Sequence, residues 1–232
     1  MGEHRFLFYL PDFAPTDTTV RLEGDEHHHL ARVLRLTPGD EIHVTNGTGT
    51  MTRARLDEVS SSSATAQVIE TTSPPRGLCA VGIPLIKKDR FELALEQCVE
   101  LGITECIPFV SERCHLRAFS ASYMERLERI AVSAMKQSFR AWRPTLEAPV
   151  PFEDLLGRLG SYDQVVFGDP GGSPANPLPG EIIVLVGPEA GFTEAEVASL
   201  GAARARPVSS GRHRLRSGTA AAVLVAAVCG SD

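Results

Sequence analysis

Apolar and polar residues alternate through most of residues 1–72, the pattern of half-buried β-strands. A hairpin is predicted where Glu41–Thr45 and Met51–Val59 flank an Asn-Gly-Thr-Gly turn at 46–49. Asp25 can cap a short helix whose apolar face is predicted to consist of Leu30, Val33 and Leu34. Further strands are predicted at 5–10, 18–22 and 64–71. Together these elements predict a compact β-barrel over residues 1–72.

The pattern changes after residue 72 to one in which apolar runs alternate with amphipathic stretches. The Thr-Ser-Pro-Pro-Arg-Gly segment at 72–77 breaks any strand and reads as a linker. Strands are predicted at 79–85, 105–110 and 164–167, with helices at about 91–101 and 122–140. This order predicts an α/β domain with a parallel sheet over residues 73–232.

The clearest sign of a ligand site begins with the apolar run at 182–186. It stops at Gly187 and Pro188, as a buried parallel strand would. Thr193 and Glu196 have the spacing of a capping box, so a helix is predicted to start there with free backbone N–H groups facing the turn. Open α/β sheets bind ligands at such strand ends. An ordinary strand–turn–helix joint has the same local pattern.

A second turn and an apolar helix complete the chain. Residues 211–216 read Gly-Arg-His-Arg-Leu-Arg, and the stretch Ser217–Cys229 is apolar almost all round. A helix without a polar face must be covered on every side, so we expect burial between the sheet and a second subunit. At about twelve residues it is too short to span a bilayer.

Both turns resemble one known family. Residues 185–194, Leu-Val-Gly-Pro-Glu-Ala-Gly-Phe-Thr-Glu, are similar to the GPEGGF(S/T)E segment of the RsmE family, which methylates N3 of a uridine in 16S ribosomal RNA. Residues 208–220 resemble that family's V-S-L-G-x-R-I-L-R-T-E-T-A. The resemblance implies a SPOUT-type methyltransferase domain with a C-terminal trefoil knot, preceded by a PUA-like barrel. It also implies a homodimer and S-adenosylmethionine as the methyl donor.

The same resemblance assigns the donor and the catalytic residues. Arg216 is expected to stabilise the charge that develops on the uracil, while Glu189 orients the turn or approaches the sulfonium. His213 stands where the family has arginine, and its imidazole is a further candidate to accept the N3 proton on chemical grounds alone. The expected donor-binding residues are Phe167, Gly168, Gly187, Pro188, Glu189, Gly191, Ser209, Gly211, Leu215 and Arg216.

RNA contacts are expected from two other segments. Residues 26–36 resemble the family's E-x-H-H-L-x-R-V-L-R, and residues 137–140 its Q-S-G-R. The predicted RNA-binding residues are His28, Arg32, Arg35, Gln137, Arg140 and Arg143. The sequence departs from the family pattern at three places, which are Phe139 and Ala190 in place of glycines and Gly218 in place of a glutamate.

Composition limits the class of protein. The 232 residues carry a net charge of −6, but the stretch from Arg113 to Arg143 contains seven basic residues and only two acidic ones. Five cysteines without paired spacing argue against a disulfide framework or a zinc site. The consecutive histidines at 27–29 point about 100° apart on a helix and cannot converge on a metal ion. No apolar leader is visible at residues 1–5, so we expect a cytoplasmic protein without a membrane segment.

Three other functions remain open from the sequence. A SPOUT enzyme for another RNA site or atom would share most of these features. A non-catalytic RNA-binding relative would fit the Ala190 and Gly218 departures. A nucleotide-dependent enzyme acting on a small molecule is disfavoured, because the chain lacks both the Gly-x-Gly-x-x-Gly and the P-loop motifs.

Overall fold

A computed structural model describes residues 6–229, which divide into two compact units. The first unit contains the described residues up to Arg76 together with Met135–Arg143, and the second contains Gly77–Ala134 and the chain from Pro144 onward. The start of the strand predicted at 5–10 and the leader prediction for residues 1–5 concern residues outside this description, as do residues 230–232 of the predicted second domain.

The first unit is built on one five-stranded sheet with the order β1-β3-β4-β5-β2. Its strands are β1 Leu7–Tyr9, β2 Thr19–Glu23, β3 Glu41–Thr45, β4 Met51–Val59 and β5 Ser63–Thr72. The predicted hairpin is confirmed, because β3 and β4 pair antiparallel. Asn46 holds its turn by accepting hydrogen bonds from the backbone N–H groups of Thr48 (2.9 Å) and Thr50 (3.2 Å). Phe8, Leu22 and Ile42 lie in the core.

The early helix differs from its prediction in two respects. Glu23 precedes the first helical residue, so the predicted cap Asp25 lies within the helix and does not cap it. Helix α1, Gly24–His28, continues as a π-helical segment, His29–Leu34, and ends at Arg35 with φ +57°. Leu30 is buried, but Val33 is 59% exposed. The prediction of Val33 as a core residue was therefore wrong. The wider π-helical turn shifts the face on which each position lies, so the three-residue spacing from Leu30 does not return to the core.

The segment Met135–Arg143 belongs to the first unit, although the predicted boundary at residues 72/73 put it in the second domain. Several contacts hold it, of which three illustrate the pattern. Lys136 forms an ion pair with Glu26 (2.6 Å), the Thr45 hydroxyl donates to the Ala141 carbonyl (3.1 Å), and the Arg143 N–H donates to the Gly47 carbonyl (2.8 Å). The sequence did not reveal this assignment because the partners are about 90 to 110 residues apart.

The second unit has a parallel sheet with the order β12-β10-β11-β6-β7-β8, and β9 also pairs with β7. Its strands are β6 Cys79–Pro84, β7 Glu105–Val110, β8 Thr145–Leu146, β9 Val150–Pro151, β10 Gln164–Pro174, β11 Ile182–Leu185 and β12 Arg206–Ser209. Its helices are α2 Lys88–Glu100, α3 Ala121–Gln137 (whose last turn belongs to the first unit), α4 Phe152–Arg158, α5 Glu194–Ala202 and α6 Ser217–Cys229, with a 3₁₀ turn at Leu159–Ser161. The predicted α/β domain is confirmed.

Strand β10 runs further than the sequence predicted. The predicted end at Gly168 is a bulge, and the ladder with β12 resumes where Ser173 pairs with Val208. Gly172 makes this possible, because a Cβ there would lie 2.5 Å from the Pro207 backbone. The residues between Gly168 and Ser173 thus form a bulge in the pairing of β10 with β12.

Helix α6 covers α2, β6 and β11 with one face only. Ala221, Leu224 and Val225 are buried, whereas Val223 is 39% exposed. At its end, Cys229 forms a disulfide with Cys79 at the start of β6, with Cα atoms 6.2 Å apart. The cysteine spacing argued against a disulfide framework, and this pairing corrects that expectation. Spacing could not reveal it, because the two residues are separated by 150 positions. Among the described residues, no helix is long and apolar enough to cross a membrane.

Candidate functional site

The turn that follows β11 is fixed by the helix after it. The Thr193 hydroxyl accepts the Glu196 N–H (3.2 Å) and the Glu196 carboxylate accepts the Thr193 N–H (2.8 Å), so the predicted capping box is confirmed. The second carboxylate oxygen of Glu196, a buried residue, accepts the Glu112 N–H at 2.9 Å. Arg113 then donates to the carbonyls of Ala190 (2.9 Å) and Phe192 (3.2 Å). The loop after β7 therefore holds this turn in place.

The two glycines of the turn have different roles. Gly191 adopts φ +77°, which a side chain disfavours, and the space around its Cα is open. At Gly187 a Cβ would lie 3.1 Å from both the ring and the backbone nitrogen of Phe192. Phe192 therefore occupies the space that a side chain at position 187 would need.

The second turn follows β12 and is tied to the first. Gly211 adopts φ +125°, and the Ser209 hydroxyl contacts the Gly211 backbone at 3.1 and 3.2 Å. The Ser217 hydroxyl donates to the Gly187 carbonyl (2.7 Å), and Arg214 Nη2 donates to the Glu189 carbonyl (2.7 Å). These bonds join the two turns across the end of β10, the strand that lies between β11 and β12 in the sheet.

A cavity of about 200 Å³ lies between the two turns, and we call it the donor pocket. Eight predicted donor residues line it, which are Gly168, Gly187, Pro188, Glu189, Gly191, Ser209, Gly211 and Leu215. Two do not. Phe167 is 2% exposed in the core, with its ring 6.1 Å from that of Phe192, and Arg216 lies in a neighbouring cleft.

Several lining residues were not predicted as donor contacts. They are Asp169, Pro170, Val186, Phe192, Val208, Ser210, His213, Arg214, Ser217, Ala220 and Leu224. Four of them belong to the two turns, so a prediction of whole turns would have included those; they are Phe192, Ser210, His213 and Arg214. Ala220 and Leu224 come from helix α6, and only their i, i+4 spacing could have indicated a shared face.

Arg216 lines a cleft beside the donor pocket with Arg90, Glu189, Arg214 and Leu215. Arg90, on α2, forms an ion pair with Glu189. Sequence reasoning missed Arg90 because it lies 99 positions from its partner. Three guanidinium groups and one carboxylate give this cleft an excess of positive charge, which suits an anion or a developing negative charge.

The structure shows what surrounds each of the three departures from the family pattern. Phe139 adopts φ +60°, a conformation that favours glycine, and its ring packs against His43 at 4.7 Å. At Gly218 a Cβ would lie 3.2 Å from Ala94 Cβ and 3.3 Å from the Arg90 carbonyl, so α2 leaves little room for a side chain. Ala190 is exposed at the rim of the first turn.

All six predicted RNA-binding residues lie in the first unit. His28, Arg32 and Arg35 are exposed on and after α1, while Gln137 and Arg143 are exposed on the segment Met135–Arg143. Arg140 is half-buried, and its burial lowers the pKa of its guanidinium from the ordinary value. The Lys136–Glu26 ion pair joins the two segments.

Comparison with known proteins connects this geometry to a family. Residues 74–229 match the model of the RNA methyltransferase domain, and residues 22–69 match the RNA methyltransferase PUA domain. The Synechocystis ribosomal RNA small subunit methyltransferase E is 34% identical over 91% of this chain and 73% of its own length. The chain belongs to the ribosomal RNA small subunit methyltransferase E family.

Solved structures agree with this membership. The Neisseria gonorrhoeae ribosomal RNA small subunit methyltransferase E, bound to S-adenosyl methionine, matches with a TM-score of 0.83 and 29% identity over 96% of each chain. A probable rRNA methyltransferase from Porphyromonas gingivalis matches with a TM-score of 0.79 and 32% identity over 95% of each chain. The chain is thus an RNA methyltransferase with a PUA domain before its catalytic domain.

Proposed function

We propose that this chain transfers a methyl group from S-adenosylmethionine to N3 of a uridine in the 16S ribosomal RNA of the small subunit. The observation that carries the proposal is the donor pocket between two strand-end turns, beside an arginine-lined cleft, in a chain of this family. Such a substrate places the reaction in the cytoplasm. We also propose that the C-terminal chain forms the trefoil knot that the family resemblance implies.

The donor pocket suits the parts of this donor. Val186, Val208 and Leu224 offer apolar surface to a purine ring, and the backbone of both turns offers hydrogen-bonding groups. Arg214 and His213 provide hydrogen-bond donors for the carboxylate of S-adenosylmethionine. The Glu189 carboxylate suits its sulfonium or ammonium group. Phe167 supports the pocket from the core by packing against Phe192.

The reaction breaks a sulfur–carbon bond and forms an N3–carbon bond, and the sulfur keeps the electron pair. The N3 proton must leave, so negative charge develops on the uracil carbonyl oxygens. Arg216, from the cleft beside the pocket, stabilises that charge. His213 lines the pocket and supplies an imidazole that accepts the proton. Arg90 neutralises Glu189 and so keeps its carboxylate from repelling the developing anion.

The test is a methyl-transfer assay on small ribosomal subunits that lack the modification, with tritiated S-adenosylmethionine. We expect the label in N3-methyluridine after nucleoside digestion. Label found only in 2′-O-methyl or C5-methyl nucleosides would contradict the proposed acceptor atom, and no label at all would contradict the proposed activity.

The first unit is proposed to hold the RNA through His28, Arg32, Arg35, Gln137, Arg140 and Arg143. Its match to a PUA domain and the joining of the two segments support this role. The net charge of −6 disfavours unspecific binding of bare RNA, so we propose the assembled small subunit as the substrate.

Arg32→Ala should weaken RNA binding without affecting donor affinity. Arg32 is exposed, so its loss removes a phosphate contact but little packing, whereas Arg140→Ala would also remove buried surface. The slope of log affinity against log salt should flatten by about 0.7 to 0.9 for the lost contact. Filter binding over a salt series measures it. Arg21→Ala, an exposed arginine paired with Glu23 in the same unit, is the control and should keep the wild-type slope.

We further propose a homodimer, with the exposed face of α6 in the interface. Val225 is buried within the chain, so a charge there would destabilise the fold without reporting on association. Val223→Asp is the informative change. It should weaken association by about 100-fold or more, because the dimer would bury an unpaired charge. Light scattering at micromolar concentration measures it, with the exposed Val197→Asp on α5 as control. A wild-type mass of about 25 kDa would contradict the dimer.

A further inference from the structure

A second groove lies beside the donor pocket at the same edge of the sheet. The donor pocket is built at the ends of β10, β11 and β12, whereas this groove is built at the ends of β11, β6 and β7. The two cavities therefore lie next to each other and share the turn after β11, since Pro188 and Glu189 line both. The sequence patterns did not indicate it, and the donor site does not use it.

The groove, which we call the lysine groove, has an apolar floor and a charged rim. Its volume of about 550 Å³ is in the usual range for a small-molecule site. The floor is formed by Leu85, Ile86, Cys114, Leu116 and Pro188. The rim is exposed and carries Lys87, Lys88, Asp89, Arg113, His115, Glu189 and Ala190.

The rim is more positive than negative, and part of that charge is held in place. Lys88 Nζ lies 4.6 Å from the centre of the Tyr123 ring, and Arg113 is bonded to the backbone of the turn after β11. Glu189 is neutralised by Arg90. Within residues 6–229, the side chains of Lys87 and His115 make no hydrogen bond or ion pair, so both are available to a ligand.

An apolar floor within a cationic rim matches a nucleotide in both of its parts. The flat base needs apolar contact once it has left its stack, and the phosphates on either side need cations. A base in this groove would lie against Pro188 and Glu189, which also line the donor pocket, so its edge would be next to the methyl donor.

We propose that the lysine groove receives the target nucleotide of the RNA, with the base on the apolar floor and a flanking phosphate held by Lys87 and His115. This inference rests on the proposed function and names the acceptor side of that reaction. Arg113 is a positioning residue here, because it holds the wall shared with the donor pocket.

The test uses Lys87→Ala/His115→Ala in the full chain, because these side chains touch neither the donor turn nor the core. Transfer of tritiated methyl to unmodified small subunits is measured as a function of subunit concentration. Losing two charge-assisted contacts should raise the KM for subunits by about tenfold or more. The salt dependence of kcat/KM should flatten by about 0.7 log units for each lost phosphate contact. The donor Kd, from calorimetry, should stay at the wild-type value.

The matched control is Arg129→Ala, an exposed cation on α3 outside the groove, and its KM should remain within about twofold of wild type. An unchanged KM and salt slope in the double variant would overturn the inference. A weaker donor affinity would also overturn it, by making the groove part of the donor site. A change of mass in light scattering would do the same, by showing that a second copy of the chain covers the groove. Failure of the proposed function itself is distinguishable, because the wild-type chain would then transfer no methyl.

Discussion

We expect Gly187→Val to abolish measurable donor binding at ordinary calorimetric concentrations. A Cβ at this position would already lie 3.1 Å from the ring and the backbone nitrogen of Phe192, and the two methyl groups of valine have no space there. Phe192 must then move, and with it the turn that lines the donor pocket. Loss of two backbone hydrogen bonds to the donor would by itself weaken binding by about 100-fold. Isothermal titration with S-adenosylmethionine measures the loss.

The control for this variant is Gly201→Val. Gly201 is near the end of helix α5, and nothing lies within 4 Å of an added Cβ, so valine there causes no clash and does not lower the helix propensity. Both variants should keep the wild-type far-ultraviolet circular dichroism spectrum. Wild-type donor affinity in a folded Gly187→Val protein would show that the donor binds elsewhere.

The turn after β11 shows how far local sequence carries a prediction. The capping box was predictable because Thr193 and Glu196 act on each other's backbone within one turn of helix. The steric reason for glycine at position 187 was not predictable in this way. Only the folded turn shows that Phe192, five residues later, occupies the space.

Contacts between distant segments could not be predicted in the same way. Arg90 and Glu189 are 99 positions apart, Arg113 and Ala190 are 77 apart, and Cys79 and Cys229 are 150 apart. A periodicity or motif describes one segment and contains no information about which other segment folds against it. The cleft around Arg216 and the lysine groove both depend on such pairings, so neither was visible in the sequence.

The departures from the family pattern also show the difference between local sequence patterns and contacts between distant segments. The family motif has glycine at position 139, and this local pattern is consistent with the positive φ that Phe139 adopts. The packing of the Phe139 ring on His43, which accompanies that conformation, joins residues 96 positions apart. Gly218 is similar, since the reason for its lack of a side chain lies on α2.

Arg216→Ala should lower the methyl-transfer rate while leaving the donor affinity unchanged. Arg216 lines the arginine cleft and does not line the donor pocket, so its removal takes away positive charge from the acceptor side only. A preorganised donor to a developing anion is worth about 100-fold to 1000-fold in kcat. Single-turnover transfer to unmodified small subunits measures the rate, and calorimetry measures the donor affinity.

Two companion variants make the cause of that loss specific. Arg212→Ala removes an exposed arginine from the same turn that lines neither the donor pocket nor the arginine cleft, so its rate should remain close to wild type. Arg216→Lys keeps the charge but loses the planar fork of donors, and it should recover only part of the rate. If Arg216→Ala instead raises the donor Kd at an unchanged rate, Arg216 binds the donor and the stabilisation of the uracil anion must come from Arg90 or Arg214, the other guanidinium groups of the cleft.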